Sequence, residues 1–342
     1  MKVLIEVHHP AHIHFWKNVV QKLQDKGHHV LVLGRNRNIM TELLEAYKWI
    51  PHKIPEGSKW EKIHPIFMFI YRQVFVTKWI IKFKPNVVAS LMGSYCQSAK
   101  LLGIRNVIFT DSEFQNLNHR IAHPFADEIH TPQCLTADFG NKHFHYNGFH
   151  ELSYINKDAS IPEPSFNALK YDPRGRGYVV MRLCAWDAYH DVHNHGLSSK
   201  DIMHIIKKIN ERWEVWIQPE GGKLPPELEP FRLEIPAHHY HSLIQGAKLV
   251  VSEGFTTASE ALALGIPSVV INQITCDILD YQNKYYRALT HFTDSSEATR
   301  WIVDFCEQEH SINTKEVSNK YLRDHCHVAD YAYNVLTGTK MT

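Results

Sequence analysis

Short, unbroken apolar runs recur along this chain, and most are followed by a stretch of helical periodicity. "KVLIEV" precedes "HFWKNVVQKLQDKG", whose pattern ends at Gly27; "HHVLVLG" precedes "IMTELLEAYK"; "PNVVASLMG" precedes "SYCQSAKLLG"; "NVIFTD" and "DEIHTP" follow. A strand that is apolar at successive positions must be buried on both faces, which a parallel sheet covered by helices on each side provides. The pattern restarts at "GYVVMRL" (177–183) and runs through "SKDIMHIIKKINER", "EVWIQP", "HHYHSLIQGA", "KLVVSEG", "TTASEALALG" and "IPSVVIN" to a helical tail. A chain of 342 residues exceeds what one core ordinarily serves. The expectation is an α/β protein of two Rossmann-like domains, residues 1–160 and 161–320, hinged by the polar, proline-containing run 156–177. The two parallel sheets are expected to face a central cleft bordered by the carboxyl ends of their strands, so candidate residues are sought in the loops that follow strands.

Composition narrows the partners. Hydrophobic residues make up 44% and charged residues 21%, the balance of a globular protein. Lys and Arg total 37 against 36 Asp and Glu, so the basic field that a nucleic-acid partner requires is missing and no such partner is expected. Six scattered cysteines without a C-x-x-C pair argue against a zinc knuckle or a disulfide framework and fit a reducing cytoplasm. The chain enters its first strand at residue 2 with no signal-peptide pattern ahead of it. The apolar, aromatic segment 63–83 is interrupted by Arg72, Gln73 and Lys78, which speaks against a membrane-spanning helix. It reads first as an interior amphipathic helix and second as a helix lying on a membrane surface.

The most informative loop lies in "VVSEGFTTASEALALGIPSVVIN" (250–272). A strand ends at Ser252, Glu253 and Gly254 form a small turn, and Thr256 and Thr257 open a helix. Free N–H groups at a helix start, beside hydroxyls and a glycine, form a cradle for phosphate oxygens. Glu260, one turn further on, is placed to accept from ribose hydroxyls, and Gly265 and Pro267 end the helix and open the next strand. Together these features point to a nucleotide-sugar site; a capped helix packed tightly on a sheet is the plain alternative. Arg182, at the end of the first strand of the second half, offers a guanidinium fork suited to a diphosphate. Glu220 follows the next strand, where a base or ribose contact would arise, or where a solvated loop acid would sit. His238 is the candidate from "IPAHHYHSLIQGA". His190, Asp191, His193 and His195 read as a polar loop rather than a metal site.

Four histidines, His8, His9, His12 and His14, follow the first strand. His12 is the candidate to act as general base for an acceptor hydroxyl or to hold a phosphate or sugar oxygen, with His8 and His9 supporting the strand end and His14 packing against the sheet. His12-Ile13-His14 also matches the H-x-H that metal-dependent hydrolase barrels carry after their first strand, but the two-lobed pattern does not fit such a barrel. No metal is expected. In "FTDSEFQN" (109–116), Asp111 and Glu113 are candidates to orient the histidine, take a proton or bind sugar hydroxyls; a helix cap at Asp111 or Ser112 is the alternative. Ser94, in "MGSY", and the His150-Glu151 pair are weaker candidates.

"HHPAHIHFWKN", "FTDSE", "YNGFHELSYI", "YVVMRLCAWDAYHDVHNHGLS" and "SEGFTTASEALALGIPSV" occur in the order seen in the domain-of-unknown-function 354 family. That family resembles the B-type glycosyltransferases and the UDP-N-acetylglucosamine 2-epimerases. The resemblance runs from residue 1 to about 335. It implies a glycosyltransferase-B-like fold with the nucleotide sugar held mainly by the C-terminal domain. It also implies a C-terminal helix, 321–336 within the segment 321–342, crossing back to the N-terminal domain. In place of a glycine-rich cradle the loop carries Glu253-Gly254-Phe255-Thr256-Thr257.

The reading that follows is a cytoplasmic glycosyltransferase without a cofactor, in surface polysaccharide or glycolipid biosynthesis. It would transfer a sugar from a nucleoside-diphosphate sugar to a carbohydrate or lipid-linked acceptor hydroxyl, with peripheral membrane contact through 63–83. Arg182, Ser252, Gly254, Thr256 and Thr257 would hold the diphosphate, Glu220, His238 and Glu260 the nucleoside, and His12, Asp111 and Glu113 would act on the acceptor. The alternatives are a UDP-sugar 2-epimerase or hydrolase on the same fold, a metal-dependent hydrolase, and a non-catalytic nucleotide-sugar-binding protein.

Overall fold

The computed structural model describes residues 1–35, 38–49, 52–54, 65–113, 116–156, 177–184, 196–221, 224–308 and 314–339. The chain divides into two compact units, Met1–Tyr154 with His325–Thr342, and Ile155–Asp324. Nearly all of the run 156–177, read as the hinge, lies outside the described residues, as do His190, Asp191, His193 and His195.

The first unit alternates strands and helices: β1 (Lys2–Val7), α1 (Pro10–Asp25), β2 (His29–Arg35), α2 (Asn38–Ala46), β3 (His52–Ile54), α3 (Pro65–Phe83), β4 (Val87–Ser90), α4 (Cys96–Leu101), β5 (Arg105–Phe109), α5 (Asn116–Ile121), β6 (Glu128–Pro132) and β7 (His143–Tyr146). Its sheet has the order β3-β2-β1-β4-β5-β6-β7 and every pair is parallel. The second unit continues with β8 (Tyr178–Leu183), α6 (Ser199–Ile209), β9 (Glu214–Pro219), α7 (Tyr240–Gln245), β10 (Leu249–Ser252), α8 (Phe255–Leu264), β11 (Ser268–Ile271), α9 (Asp277–Tyr285), β12 (Leu289–Phe292), α10 (Ser295–Glu307) and α11 (Thr314–Asp324). These five strands pair in parallel in the order β12-β11-β10-β8-β9. The last helix, α12 (Val328–Thr337), belongs to the first unit.

Local chemistry sets the helix ends. His9 caps α1 by accepting from the Ala11 N–H at 3.3 Å, and Pro10 takes the first helical position, where no N–H is needed. Ser198 and Asp201 close a reciprocal capping box on α6. Gly265 ends α8 at φ 77°, a left-handed conformation that glycine adopts without a Cβ penalty. The central strands are buried on both faces: Val3, Leu4, Ile5 and Val7 of β1 and Leu249, Val250 and Val251 of β10 are all at 0% exposure.

Three strands have no counterpart among the apolar runs of the sequence. β3, β7 and β12 each occupy a sheet edge. β7 ("HFHY") and β12 ("LTHF") keep most positions partly exposed, so neither needs a continuous apolar stretch. The segment 321–336, read as one helix, is two: α11 ends at Asp324 in the second unit, and α12 restarts at Val328 in the first. α3 also departs from an interior helix. Val76 and Ile80 are buried, while Phe67, Ile70, Tyr71, Val74 and Ile81 lie exposed on one stripe. Among the described residues no helix is long and apolar enough to cross a membrane. All six cysteines are free.

Each sheet has one place where successive connections leave in opposite directions: between β1 and β4 in the first, between β8 and β10 in the second. The carboxyl ends of strands at such a point open a crevice that no crossover helix fills. In the first unit this crevice is edged by the turn after β4, where Gly93 sits at φ 71° and donates its N–H to Ser90 Oγ at 2.9 Å. A Cβ here would press on Ile108 Cδ1 and Ala122 Cβ. Gly93→Ala should therefore destabilise the first unit by about 2 kcal/mol or more, combining left-handed strain with overpacking. A thermal midpoint within a degree of wild type would contradict this account.

Candidate functional site

In the second unit the crevice is built around the start of α8. Ser252 ends β10 in register with Arg182 of β8. Ser252 Oγ accepts from the Gly254 N–H at 3.1 Å and donates to the Gly254 carbonyl at 2.7 Å, which fixes the turn into the helix. Among the described residues no side chain caps α8, so none of them offsets the partial positive charge of its first-turn N–H groups. Thr256 is exposed in that turn, whereas Thr257 is buried with its Oγ1 3.3 Å from the Tyr240 hydroxyl.

Arg182 lies beside this helix start. Its guanidinium stands 5.4 Å over the Tyr240 ring, donates to the Pro219 carbonyl at 3.2 Å and approaches Glu220 at 3.8 Å. Burial pushes the Tyr240 phenol up to about 12, with Glu260 and Glu220 adding to the rise and Arg182 and the Thr257 hydrogen bond opposing it. The hydroxyl therefore stays protonated and available as a donor near neutrality.

The turn is held by Glu253, which is buried. Its Oε2 accepts from the Cys184 N–H at 2.7 Å and its Oε1 from the Leu197 N–H at 3.1 Å. These two residues flank the loop after β8, so one carboxylate ties both loop ends to the start of α8. Gly196 must be glycine for this, because a Cβ would overlap the Glu253 carboxylate. From the next strand, Asn272 Nδ2 donates to the Glu253 carbonyl at 2.9 Å. The sequence marked Glu253 only as part of a turn; its place directly after a buried strand was the signal of a structural role.

Glu260, expected to face ribose hydroxyls, is buried and accepts from His241 Nε2 at 3.0 Å. Its first partner is thus a side chain of α7. The rings of His238 and His239 are tilted against each other with centroids 4.2 Å apart, and His241 of the same segment brings its imidazole to Glu260 of α8. Glu220 is exposed beside Arg182.

In the first unit the four histidines separate into different environments. His9 caps α1, and His14 lies 3.3 Å from the Tyr47 hydroxyl with its ring 5.5 Å from Tyr154. His8 Nδ1 meets Glu6 Oε1 at 2.6 Å, and His12, in the first turn of α1, lies edge-on to His8 at 4.2 Å between centroids. Glu6 is the one acidic residue of "KVLIEV", a signal in the sequence that its apolar neighbours obscured. Asp111, expected to orient His12, is paired with His150 instead, Oδ2 to Nδ1 at 3.0 Å. Burial alone would raise the Asp111 carboxyl; the charge and hydrogen bond of His150, with a backbone hydrogen bond, bring it below its ordinary value. Glu113 is half-buried nearby in sequence, and Glu151 is buried in the turn that carries His150.

The two parallel-sheet units, each with one point where its strand order reverses, define the glycosyltransferase-B-like class of α/β folds. Solved structures of that class align with the whole chain. A UDP-GlcNAc 2-epimerase from Neisseria meningitidis bound to UDP-GlcNAc superposes with a TM-score of 0.69 at 14% identity, covering 99% of this chain and 100% of that one. A UDP-GlcNAc 2-epimerase from Methanocaldococcus jannaschii gives 0.67 at 15% identity, covering 99% and 100%. A spinosyn rhamnosyltransferase complexed with thymidine diphosphate gives 0.62 at 14% identity, covering 98% and 99%. These likenesses concern the fold. In sequence, the chain belongs to the family described as protein of unknown function (DUF354), whose profile matches residues 1–328. An uncharacterized protein of Methanocaldococcus jannaschii is 23% identical over 283 residues, 79% of this chain and 81% of that one.

Two outcomes test this geometry. Glu253→Ala removes the acceptor for two backbone N–H groups, one buried and one partly buried, and each charge-assisted bond contributes roughly 1.5–3 kcal/mol. A cooperative destabilisation of at least about 2 kcal/mol in urea is expected, and an unchanged midpoint would show that the carboxylate does not tie the loop. His150→Ala leaves burial as the dominant influence on Asp111, so its carboxyl should titrate higher than in wild type by carbon-detected NMR. Because that carboxyl is lowered in the folded state, its contribution to stability is complete above the ordinary carboxylate value of about 3.9 and is lost as pH falls through the folded value.

Proposed function

We propose that the protein is a nucleotide-sugar enzyme that transfers a sugar from a nucleoside diphosphate to an acceptor hydroxyl of a carbohydrate or lipid-linked molecule, in surface polysaccharide or glycolipid assembly. The observation that carries this reading is the start of α8, uncapped by any described side chain and flanked by Arg182 at the point where the second sheet reverses its strand order. A diphosphate placed there meets the N–H groups of the first helical turn, the Thr256 hydroxyl and the guanidinium. As the bond from the anomeric carbon to the diphosphate breaks, the charge gained by the leaving oxygen is stabilised by the same groups. Ser252 and Gly254 shape the turn. Glu220 and His238 are assigned to the nucleoside, and Glu260, held by His241, to a ribose hydroxyl.

In the first unit we assign the acceptor proton to Asp111. It is ionised at neutral pH and more exposed than His12, and His150 steadies the carboxylate. Glu113 contributes an acceptor contact, and His12 stays with the buried Glu6–His8 pair. A second reading, UDP-sugar 2-epimerase or hydrolase, is favoured by two carboxylate–imidazole pairs that follow or end strands of this unit, Glu6–His8 and Asp111–His150. Removal and return of a proton on a sugar ring needs such an inventory.

The exposed stripe of α3 supports peripheral contact with the membrane face at which lipid-linked acceptors reside. Phe67, Ile70, Tyr71, Val74 and Ile81 share the stripe with Lys78 and Lys82, and α3 contains no acidic residue. Apolar side chains interleaved with lysines suit an anionic bilayer surface.

A thermal-shift panel of UDP-, GDP-, CDP- and dTDP-sugars tests the donor class. One of them should raise the midpoint by several degrees, and Arg182→Ala should weaken that ligand at least about tenfold, the scale of a lost charge-assisted contact. No shift with any member defeats the assignment. The nucleotide sugar incubated without acceptor separates the two readings, since an epimer or free UDP appears only for the second. Co-sedimentation with phosphatidylglycerol vesicles should be lost in Val74→Glu/Ile81→Glu; equal pelleting of that variant and wild type would remove the membrane role.

A further inference from the structure

We propose that Glu6, His8 and His12 form a binding site for one divalent transition-metal ion of the zinc, cobalt or manganese class. The site goes beyond the nucleotide-sugar reading and is tested apart from it.

The topology brings the three ligands together. Side chains two apart on a strand share a face, so Glu6 and His8 project together from the end of β1, and the turn at His9-Pro10 brings the first turn of α1 back over them with His12. One ligand atom from each residue lies within 4.8 Å of the other two, and among the described residues this is the one place where three such groups converge. The site occupies the crevice between β1 and β4, since His8 Nε2 lies against Met92 Sδ, just beyond the end of β4, at 2.6 Å.

Two observations call for a cation rather than an ion pair alone. Glu6 is fully buried, and its second oxygen, Oε2, has no hydrogen-bond partner among the described residues. A buried carboxylate oxygen without a donor is an unstable arrangement that a cation relieves. With its Nδ1 against Glu6, His8 meets at Nε2 the thioether of Met92, which is only a weak hydrogen-bond acceptor. Two imidazoles and one carboxylate make a donor set suited to zinc and its neighbours, and three protein ligands leave a position for water or a substrate oxygen.

The H-x-H pair His12 and His14 does not make this site. Two residues apart on a helix they diverge by about 200°, and His14 lies against Tyr47 and Tyr154. The ligand pattern is instead Glu6-x-His8 followed by His12, which crosses the boundary between a strand and a helix.

The test is calorimetric titration of the chelator-stripped full chain with zinc chloride and with cobalt chloride. One ion per chain is expected, with visible cobalt absorption of a low-symmetry nitrogen–oxygen site. Glu6→Gln and His12→Gln should each weaken binding at least tenfold, while His204→Gln, exposed on α6, should leave it unchanged. With 25 histidines in the chain, stray binding is the competing outcome; equal affinity in wild type, Glu6→Gln and His12→Gln would establish it and overturn the proposal. Absence of a bound ion in wild type would also overturn it, leaving Glu6 and His8 an ion pair. If Glu6→Gln fails to fold, His12→Gln and the wild-type stoichiometry decide. A nucleotide thermal shift on the same protein keeps the two readings apart, since either can fail alone.

Discussion

Parallel pairing of β1 with β4 and of β8 with β10 is the constraint from which the rest follows. A parallel pair needs a crossover between its strands, and crossovers that depart in opposite directions leave the carboxyl ends of the two central strands uncovered. Strands buried on both faces must be apolar along their length, so polar groups concentrate where the strands end. Arg182, Ser252 and Glu253 cluster at one such end, and Glu6, His8 and Met92 at the other.

Buried carboxylates do different work in the two units. Glu253 is fully occupied by backbone N–H groups and braces a loop. Glu260 is taken by His241, and Asp111 by His150, the latter with more of its side chain in reach of solvent. Glu6 is the exception, with one oxygen engaged and one without a partner among the described residues. The cost of burying a charge is met by backbone donors in one case and imidazoles in the others, and where it is met only in part a ligand is called for.

Legibility in the sequence tracked burial. The central strands and their helices could be read because full burial demands unbroken apolar runs, and the start of α8 could be placed to within a residue from Ser252, Gly254 and the two threonines. β3, β7 and β12 escaped because an edge strand is paired on one side and tolerates histidine and threonine. The break between α11 and α12 escaped because both halves have helical periodicity, and periodicity does not record which core each half joins. At the sites, residue types were readable but pairings were not. Asp111 was visible after β5 and His150 some 40 residues later, and only the packing of their elements sets them 3.0 Å apart.

The sequence by itself determined two doubly covered parallel sheets, the loops in which chemistry can gather, and the glycine and proline positions that punctuate them, because these depend on local pattern and on apolar burial. Tertiary structure alone decided which partner each charged side chain keeps: His150 for Asp111, His241 for Glu260, two backbone amides for Glu253, and His8 for Glu6. The physical reason is one of range. Hydrophobic periodicity is written within a few residues, whereas a hydrogen bond acts over about 3 Å between groups whose separation along the chain carries no information about their separation in space.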